Sequence, residues 1–544
     1  MSGFKSSVVY QIYPKSFCDS NGDGIGDLRG VTQKLDYIKA LGADYIWLTP
    51  FFKSPQRDNG YDVADYCSVE PMFGAMEDAE ELLREAEKRG IGLMLDMVFN
   101  HTSTAHEWFR RALAGEKKYQ DYYIFREGTP DKPPTNWQSK FGGSAWEYVP
   151  QLQKWYLHLF DVSQADLNWQ NPAVREELKN VIRFWQRKGA RAFRFDVVNL
   201  ISKPDVLEDD PAGDGRACYT DGPRVHEYLR ELARDTHLTE AVTVGEMSST
   251  SLEHCIRYTK PENRELSMTF SFHHLKIDYR GGDKWQLQPP DLARLRELLR
   301  AWQEGMQAGG GWNALFWCNH DQPRVVSRLG DDTACWKQSA KMLALCLHMM
   351  RGTPYIYQGE ELGMTNAYFD RIEQYRDVES LNYHRILTES GLSEADVMAR
   401  LQARSRDNSR TPMQWNAGQN AGFTAGTPWI AIPSRRPEAN VRDEESDPAS
   451  ILHFYRRLVR LRKELPLIAE GDIQFIAQDQ PGLIAYERRL DGKTLTVYCN
   501  FTNTARAVPF RGAASCLLDS YEDAPAPFGG VLPLRPYEGV ALMR

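Results

Sequence analysis

Amphipathic helical stretches, each closed by a glycine and followed by a short apolar run, recur through roughly the first 360 residues. DYIKALG precedes ADYIWLTP, EELLREAEKRG precedes IGLMLDMVF, and EELKNVIRFWQRKG precedes ARAFRFDVV. Within the helical parts, apolar residues return every three or four positions, and the glycine suits a left-handed C-terminal cap. Helices that alternate with buried strands imply a parallel sheet. Eight strands are expected: VVYQIY, DYIWLT, IGLMLDMVF, ARAFRFDVV, AVTVGE, LSMTFSF, NALFWCN and TPYIYQG. Eight such units point to an α/β fold, a closed (β/α)8 TIM barrel. The rhythm breaks twice. A stretch from about His101 to Trp169, rich in Trp, Tyr, Phe, Gly and Pro, is expected to form an irregular subdomain over the barrel mouth. An Arg-rich insertion follows the eighth strand, near 363–426. After ILHFYRRLVRLRKEL the pattern turns to period two, as in GLIAYERR, TLTVYCNF and GVALMR, and predicts an antiparallel β-sandwich over 466–544. The barrel would then occupy 1–100 and 170–465, with the subdomain at 101–169.

Composition adds exclusions. A net charge of −8 argues against nucleic acid or an anionic membrane as a partner. No apolar run is long enough to span a bilayer, and MSGFKSSVVYQIYP enters a strand without a leader-like segment. Nine cysteines, an odd number without CxxC pairs, fit free thiols in a reducing compartment. A cytoplasmic monomer acting on a small molecule is expected.

Three of the apolar runs end on, or run directly into, a carboxylate: Asp196 in ARAFRFDVV, Glu246 in AVTVGEM and Asp321 in ALFWCNHD. In a parallel barrel the carboxyl ends of the strands form the rim where chemistry is built. One strand-end acid is as often a cap or an ion-pair partner. Several acids delivered to one rim are the equipment for splitting a glycosidic bond. Arg194 stands two residues before Asp196, on the same strand face, where its charge would keep Asp196 ionised. Glu246 has no cation beside it in the sequence, so a desolvated site would keep it protonated.

The motifs DMVFNH (Asp96 to His101), QADLNW, FRFDVVN, VGEM and FWCNHDQPR occur in order on successive strand ends. In this the chain resembles the α-amylase superfamily of retaining glycoside hydrolases, and within it the oligo-1,6-glucosidase group. The resemblance implies that Asp196 is the nucleophile, Glu246 the general acid/base and Asp321 the transition-state stabiliser. It also implies that Tyr61 stacks on the sugar, Asp62 binds its far hydroxyls, and His101 and His320 donate hydrogen bonds to it. Arg410, in SRTPMQW, would pair with Asp62 and close the pocket for an exo-acting enzyme. Retention requires the first two carboxylates roughly 5 Å apart.

The segment DSNGDGIGD places oxygen ligands at alternate positions with glycines between them, a pattern suited to calcium. By the resemblance, Asp19, Asn21, Asp23, the carbonyl of Ile25 and Asp27 would hold a structural Ca2+ or Mg2+, with no organic cofactor. Val197 follows the nucleophile where α-1,4-specific relatives carry Thr or Ala. In SFHHLKIDY, His273 and Lys276 replace acidic residues typical of oligo-1,6-glucosidases, and a phosphate favours such bases. HHLKxDY, SKPD and YTDGPRVHEYL are similar to the branch that hydrolyses trehalose 6-phosphate. Lys276, His273, Arg224 and Lys284 are the phosphate candidates, Lys276 foremost. The alternative is an oligo-1,6-glucosidase acting on isomaltose-type ends. VVSRL lacks the Arg-rich loop of sucrose-isomerising relatives.

Overall fold

The computed structural model describes residues 3–510, 512–523 and 530–544. The eight expected strands all form: β1 (Val9–Ile12), β2 (Tyr45–Leu48), β3 (Gly92–Met97), β4 (Ala192–Phe195), β5 (Val242–Met247), β6 (Met268–Ser271), β7 (Ala314–Leu315) and β8 (Thr353–Tyr357). They hydrogen-bond in the order β6-β5-β4-β3-β2-β1-β8-β7, the cyclic order of a (β/α)8 barrel. β7 is shorter than NALFWCN suggests. Only Ala314 and Leu315 join the ladder, pairing with Thr353 and Pro354 of β8. An end strand with one partner leaves the ladder early, and the residues from Phe316 to Asn319 run on without it.

The chain divides into two compact units, Trp47–Ser271 and Met1–Ile46 with Phe272–Arg544. In the first, helices stop where the sequence says. The helix Pro172–Arg187 starts with the Asn171 side chain accepting from Ala173 N and Pro at its first position, and Gly189 follows it with φ 108°. Its apolar stripe of Val174, Leu178, Ile182 and Trp185 is buried. Strand β4 reads AFRF and is buried on both faces, as a parallel strand should be. Its register sets Arg194 level with Asp96 of β3 and Phe195 level with Gly245 of β5. One residue further on, Asp196 and Glu246 come level at the carboxyl ends of their strands. The stretch 101–169 is more ordered than its composition suggests. Phe125–Glu127, Lys154–Leu157 and Trp146–Val149 make a three-stranded antiparallel sheet, packed by Trp137, Trp146, Trp155 and Leu157.

In the second unit, five antiparallel strands between Asp472 and Met543 form a sheet, and Arg506–Pro509 pairs with Val531–Leu534. Leu483, Ala485, Tyr498, Val540 and Leu542 bury against Val508, Phe510, Leu532 and Leu534, so two layers share one core. Tyr486 donates its hydroxyl to the carbonyl of Cys346 at 2.6 Å and ties this sheet to the helix before β8. All nine cysteines are free thiols. Among the described residues no helix is long and apolar enough to cross a membrane.

Candidate active site

Arg194 organises the site residues of the first unit. It is buried, and its Nη1 donates to Asp96 Oδ1 at 2.6 Å and to Asp196 Oδ1 at 2.7 Å. Its Nη2 lies against Glu246 Oε2. One guanidinium therefore spans both carboxylates expected to perform the chemistry. No cation stands beside Glu246 in the sequence, but the register of two strands brings Arg194 to it in space, which linear spacing does not reveal.

Asp96 is the residue sequence reasoning passed over, although DMVFNH contains it. Burial, opposed by Arg194 and reinforced by the charge of Asp196, raises its pKa to about 6. Its Oδ2 accepts from Trp47 Nε1 at 3.0 Å and from the Tyr61 hydroxyl at 2.9 Å. Tyr61 thus has its hydroxyl anchored in the floor, with Arg194 5.7 Å from its ring centroid. Asp62 is fully buried and holds its own loop: Oδ1 accepts from Ser54 Oγ and Asp58 N, Oδ2 from Arg57 N. Burial raises its pKa. His101, expected to donate to a sugar, has Nε2 3.0 Å from the carbonyl of Tyr61 and 3.2 Å from Gln164 Nε2, with Nδ1 3.2 Å from Asn100 Nδ2. Burial lowers its pKa and keeps the ring neutral.

The second unit carries Asp321 and the residues around it. The backbone N–H of Asp321 donates to Asn319 Oδ1 at 2.8 Å, a tight turn after β7. Its Oδ1 takes Arg410 Nη2 at 2.6 Å and Arg406 Nη1 at 3.4 Å. Burial alone would raise its pKa, but His320, Arg406 and Arg410 hold it far below the carboxylate range. Gln11 Nε2 lies 2.9 Å from His320 Nδ1, and His320 Nε2 lies 3.3 Å from Asp321 Oδ2. Arg410 was expected to pair with Asp62. Its bonds here run to Asp321, to Asp377 at 3.3 Å and, through Nε, to the carbonyl of His320 at 2.9 Å. Asp377 and Arg406, 2.6 Å apart, complete this charge network and were not singled out from the sequence. They lie in the insertion after β8, where no strand periodicity marks a position as inward-facing.

The phosphate candidates differ in character. Arg224 is exposed and 3.4 Å from Asp205. Lys284 is bound to Glu379 at 2.5 Å. The His273 ring packs 4.2 Å from Trp302, and burial with Lys276 and Arg294 nearby lowers its pKa to about 4, so it is neutral at pH 7. Lys276 closes the short helix His273–Lys276 and is exposed.

The loop at 19–27 is closed on its own amides. Asp19 accepts from the N–H groups of Asn21, Gly22 and Gly24 and from the Thr424 hydroxyl, Asn21 from Asp23 N, and Asp23 from Ile25 N. Asp27 caps the next helix through Gly30 N. Among the described residues no group of three His, Cys, Asp or Glu is placed to hold a metal; the expected set also counts the Asn21 side chain and the Ile25 carbonyl. Asp19 lies below its ordinary pKa because the Thr424 and amide hydrogen bonds outweigh its burial.

A parallel barrel whose strand ends carry Asp196 and Glu246 on one arginine, with Asp321 after β7, is the arrangement of a glycoside hydrolase. The profile described as Alpha amylase, catalytic domain matches residues 11–471, and the chain belongs to the α-amylase family. It is 53% identical over 541 residues to the trehalose-6-phosphate hydrolase of Escherichia coli (strain K12), covering 99% of this chain and 98% of that one. It is 48% identical to the oligo-1,6-glucosidase of Parageobacillus thermoglucosidasius, covering 92% of this chain and 90% of that one. The crystal structure of Bacillus licheniformis trehalose-6-phosphate hydrolase (TreA) superposes with a TM-score of 0.96 at 53% identity, over 100% of both chains.

Proposed function

We propose that the protein is a retaining, exo-acting α-glucosidase that hydrolyses α,α-trehalose 6-phosphate to glucose and glucose 6-phosphate. The observation that carries this reading is the Arg194 guanidinium shared by Asp196 and Glu246, taken with full-length similarity to trehalose-6-phosphate hydrolases. In the first step an Asp196 oxygen bonds to the anomeric carbon, and the bond to the bridging oxygen breaks as Glu246 gives that oxygen its proton. Glucose 6-phosphate leaves. In the second step the Glu246 carboxylate takes a proton from water, whose oxygen displaces Asp196 and releases glucose with its original configuration. Glu246 must be protonated for the first step, and a sugar ring that excludes water from it favours that form. Asp321, held ionised by Arg406 and Arg410, offers a fixed negative charge to hydroxyls and to the oxocarbenium-like ring.

Lys276 is the phosphate ligand we assign first, because it is an exposed ammonium closing the short helix His273–Lys276 and a phosphate favours a cationic partner, whereas His273 is neutral. Lys276→Ala should raise KM for trehalose 6-phosphate at least tenfold, about the cost of one charged hydrogen bond, with KM for p-nitrophenyl α-glucoside little changed. Equal effects on both substrates would remove the phosphate role. The second reading, an oligo-1,6-glucosidase, rests on the 48% identity noted above. Parallel assays on isomaltose and trehalose 6-phosphate separate the two.

The 19–27 loop supplies only oxygen donors, with Gly22 and Gly24 at positive φ, a chemistry that suits Ca2+ or Mg2+. Uptake would require the carboxylates to turn from the amides they now accept from. If the loop takes an ion, excess EDTA should lower Tm by several degrees and added Ca2+ should restore it. A Tm indifferent to both would show the loop to be complete without metal.

A further inference from the structure

We propose that Asn199 is a positioning residue that sets the separation between nucleophile and acid/base by clamping the turn after β4 to the turn after β5. This deepens the reading above and rests on its assignment of Asp196 and Glu246. The Asn199 carboxamide makes a reciprocal pair with the backbone N–H and C=O of one residue, Ser248. Its Oδ1 accepts from Ser248 N at 2.9 Å, and its Nδ2 donates to Ser248 O at 2.9 Å. Asn199 is three residues past Asp196, and Ser248 is two past Glu246. Two hydrogen bonds from the buried Asn199 to the half-buried Ser248 thus cross between the segments that bear the two carboxylates.

Backbone geometry shows why such a clamp is needed. Val197, directly after Asp196, is left-handed at φ 34°, ψ 40°, a conformation that a β-branched residue adopts only under constraint. Ser249, directly after Ser248, also has positive φ, 59°. Both turns are held away from their relaxed shapes within two residues of the clamp. Leu200 N donates to the carbonyl of Val197 at 2.9 Å and closes the first turn.

The clamp has its own support. Asp221 Oδ1 accepts from Asn199 Nδ2 at 3.2 Å and from the Tyr258 hydroxyl at 2.7 Å, while Oδ2 accepts from Thr250 Oγ1 at 2.9 Å. Its backbone N–H donates to the carbonyl of Asn199 at 2.9 Å. Asp221 therefore grips the β4 turn through Asn199 and the β5 turn through Thr250. Asn199 touches no catalytic oxygen. It acts through the backbone, so its removal should displace Glu246 relative to Asp196 without removing either.

The test compares substrates whose first step differs in its need for a proton. Asn199→Ala should lower kcat for p-nitrophenyl α-glucoside, and more so for trehalose 6-phosphate, on the order of 100-fold for a displacement near 1 Å. α-Glucosyl fluoride, whose leaving group needs no proton, should lose less than about tenfold, since acid catalysis alone contributes the larger factor. KM should move little, and the upper limb of the kcat/KM pH profile should shift with the environment of Glu246. Asn199→Asp keeps the shape and the bond from Ser248 N but loses the donor to Ser248 O, so it tests the same clamp if the alanine variant does not fold. Unaltered kcat, or an equal loss on all three substrates with an unchanged pH profile, would overturn the proposal. Glu246→Gln is measured alongside. If it too spares poorly leaving substrates, the acid/base assignment has failed; if it shows the leaving-group pattern and the Asn199 variants do not, only the clamp has failed.

Discussion

Asp196→Asn is expected to lower kcat on the order of 10⁴-fold or more, because it replaces the group that bonds to the anomeric carbon. The change is close to isosteric. An amide oxygen can still accept from Arg194 Nη1, which now reaches Asp196 at 2.7 Å, so packing and fold should persist. It removes one of the three carboxylates around that guanidinium, and with it the charge that helps to raise Asp96. Asp96 should then titrate lower, and Tm should hold or rise slightly at pH 7. The loss of turnover is thereby separated from any loss of structure. Asp196→Ala supplied with azide gives the stricter check. A small anion entering the space left by the carboxylate should yield the β-glucosyl azide, identifiable by NMR. Retained hydrolysis in the asparagine variant, or azide product of α configuration, would exclude Asp196 as the nucleophile.

The barrel was legible because its signal is periodic. Helix, glycine and strand recur, and each buried strand is a near-continuous apolar run such as AFRF at 192–195. The candidate site was legible where acids stand at strand ends, since alternation fixes which way Arg194 and Asp196 point. Contacts between strands were not legible in the same way. The level pairing of Arg194 with Asp96, and the reach of Arg194 to Glu246, follow from ladder register, which no single strand encodes. Motif membership says that the His101 side chain sits near the site but not what it meets there; Asn100, Gln164 and the carbonyl of Tyr61 are those partners. Asp377, Arg406 and Asn199 act from turns and an insertion, where no period marks orientation. The loop at 19–27 shows the reverse problem. Its spacing fits both a cation site and a set of turns, and its side chains accept from the backbone amides of the loop.

The dependence of the site on Arg194 leads to the second large effect. Arg194→Met fits a hydrophobic chain into the same space but leaves Asp96, Asp196 and Glu246 without their common cation. Removing one partner of a buried charge cluster costs about 3–5 kcal/mol, because the remaining charges stay buried and uncompensated. Here they also repel, so the protein should respond by binding protons. Asp96 already titrates at about 6 rather than 3.8, and loss of the arginine must push it higher. A carboxyl whose folded pKa is raised binds more protons folded than unfolded, so stability falls as pH rises from the unfolded toward the folded value. The Tm deficit of Arg194→Met against the unaltered protein should therefore be larger at pH 8 than at pH 5. Activity should be lost at both, on the order of 10³-fold, since a protonated nucleophile cannot attack and an ionised one is no longer held in place. Arg194→Lys restores one charge but not the fork that reaches three acids, so it should recover much of the Tm and little of the kcat. A Tm deficit that is flat with pH, or a methionine variant that keeps its turnover, would mean that the three carboxylates do not share Arg194 as their counter-ion.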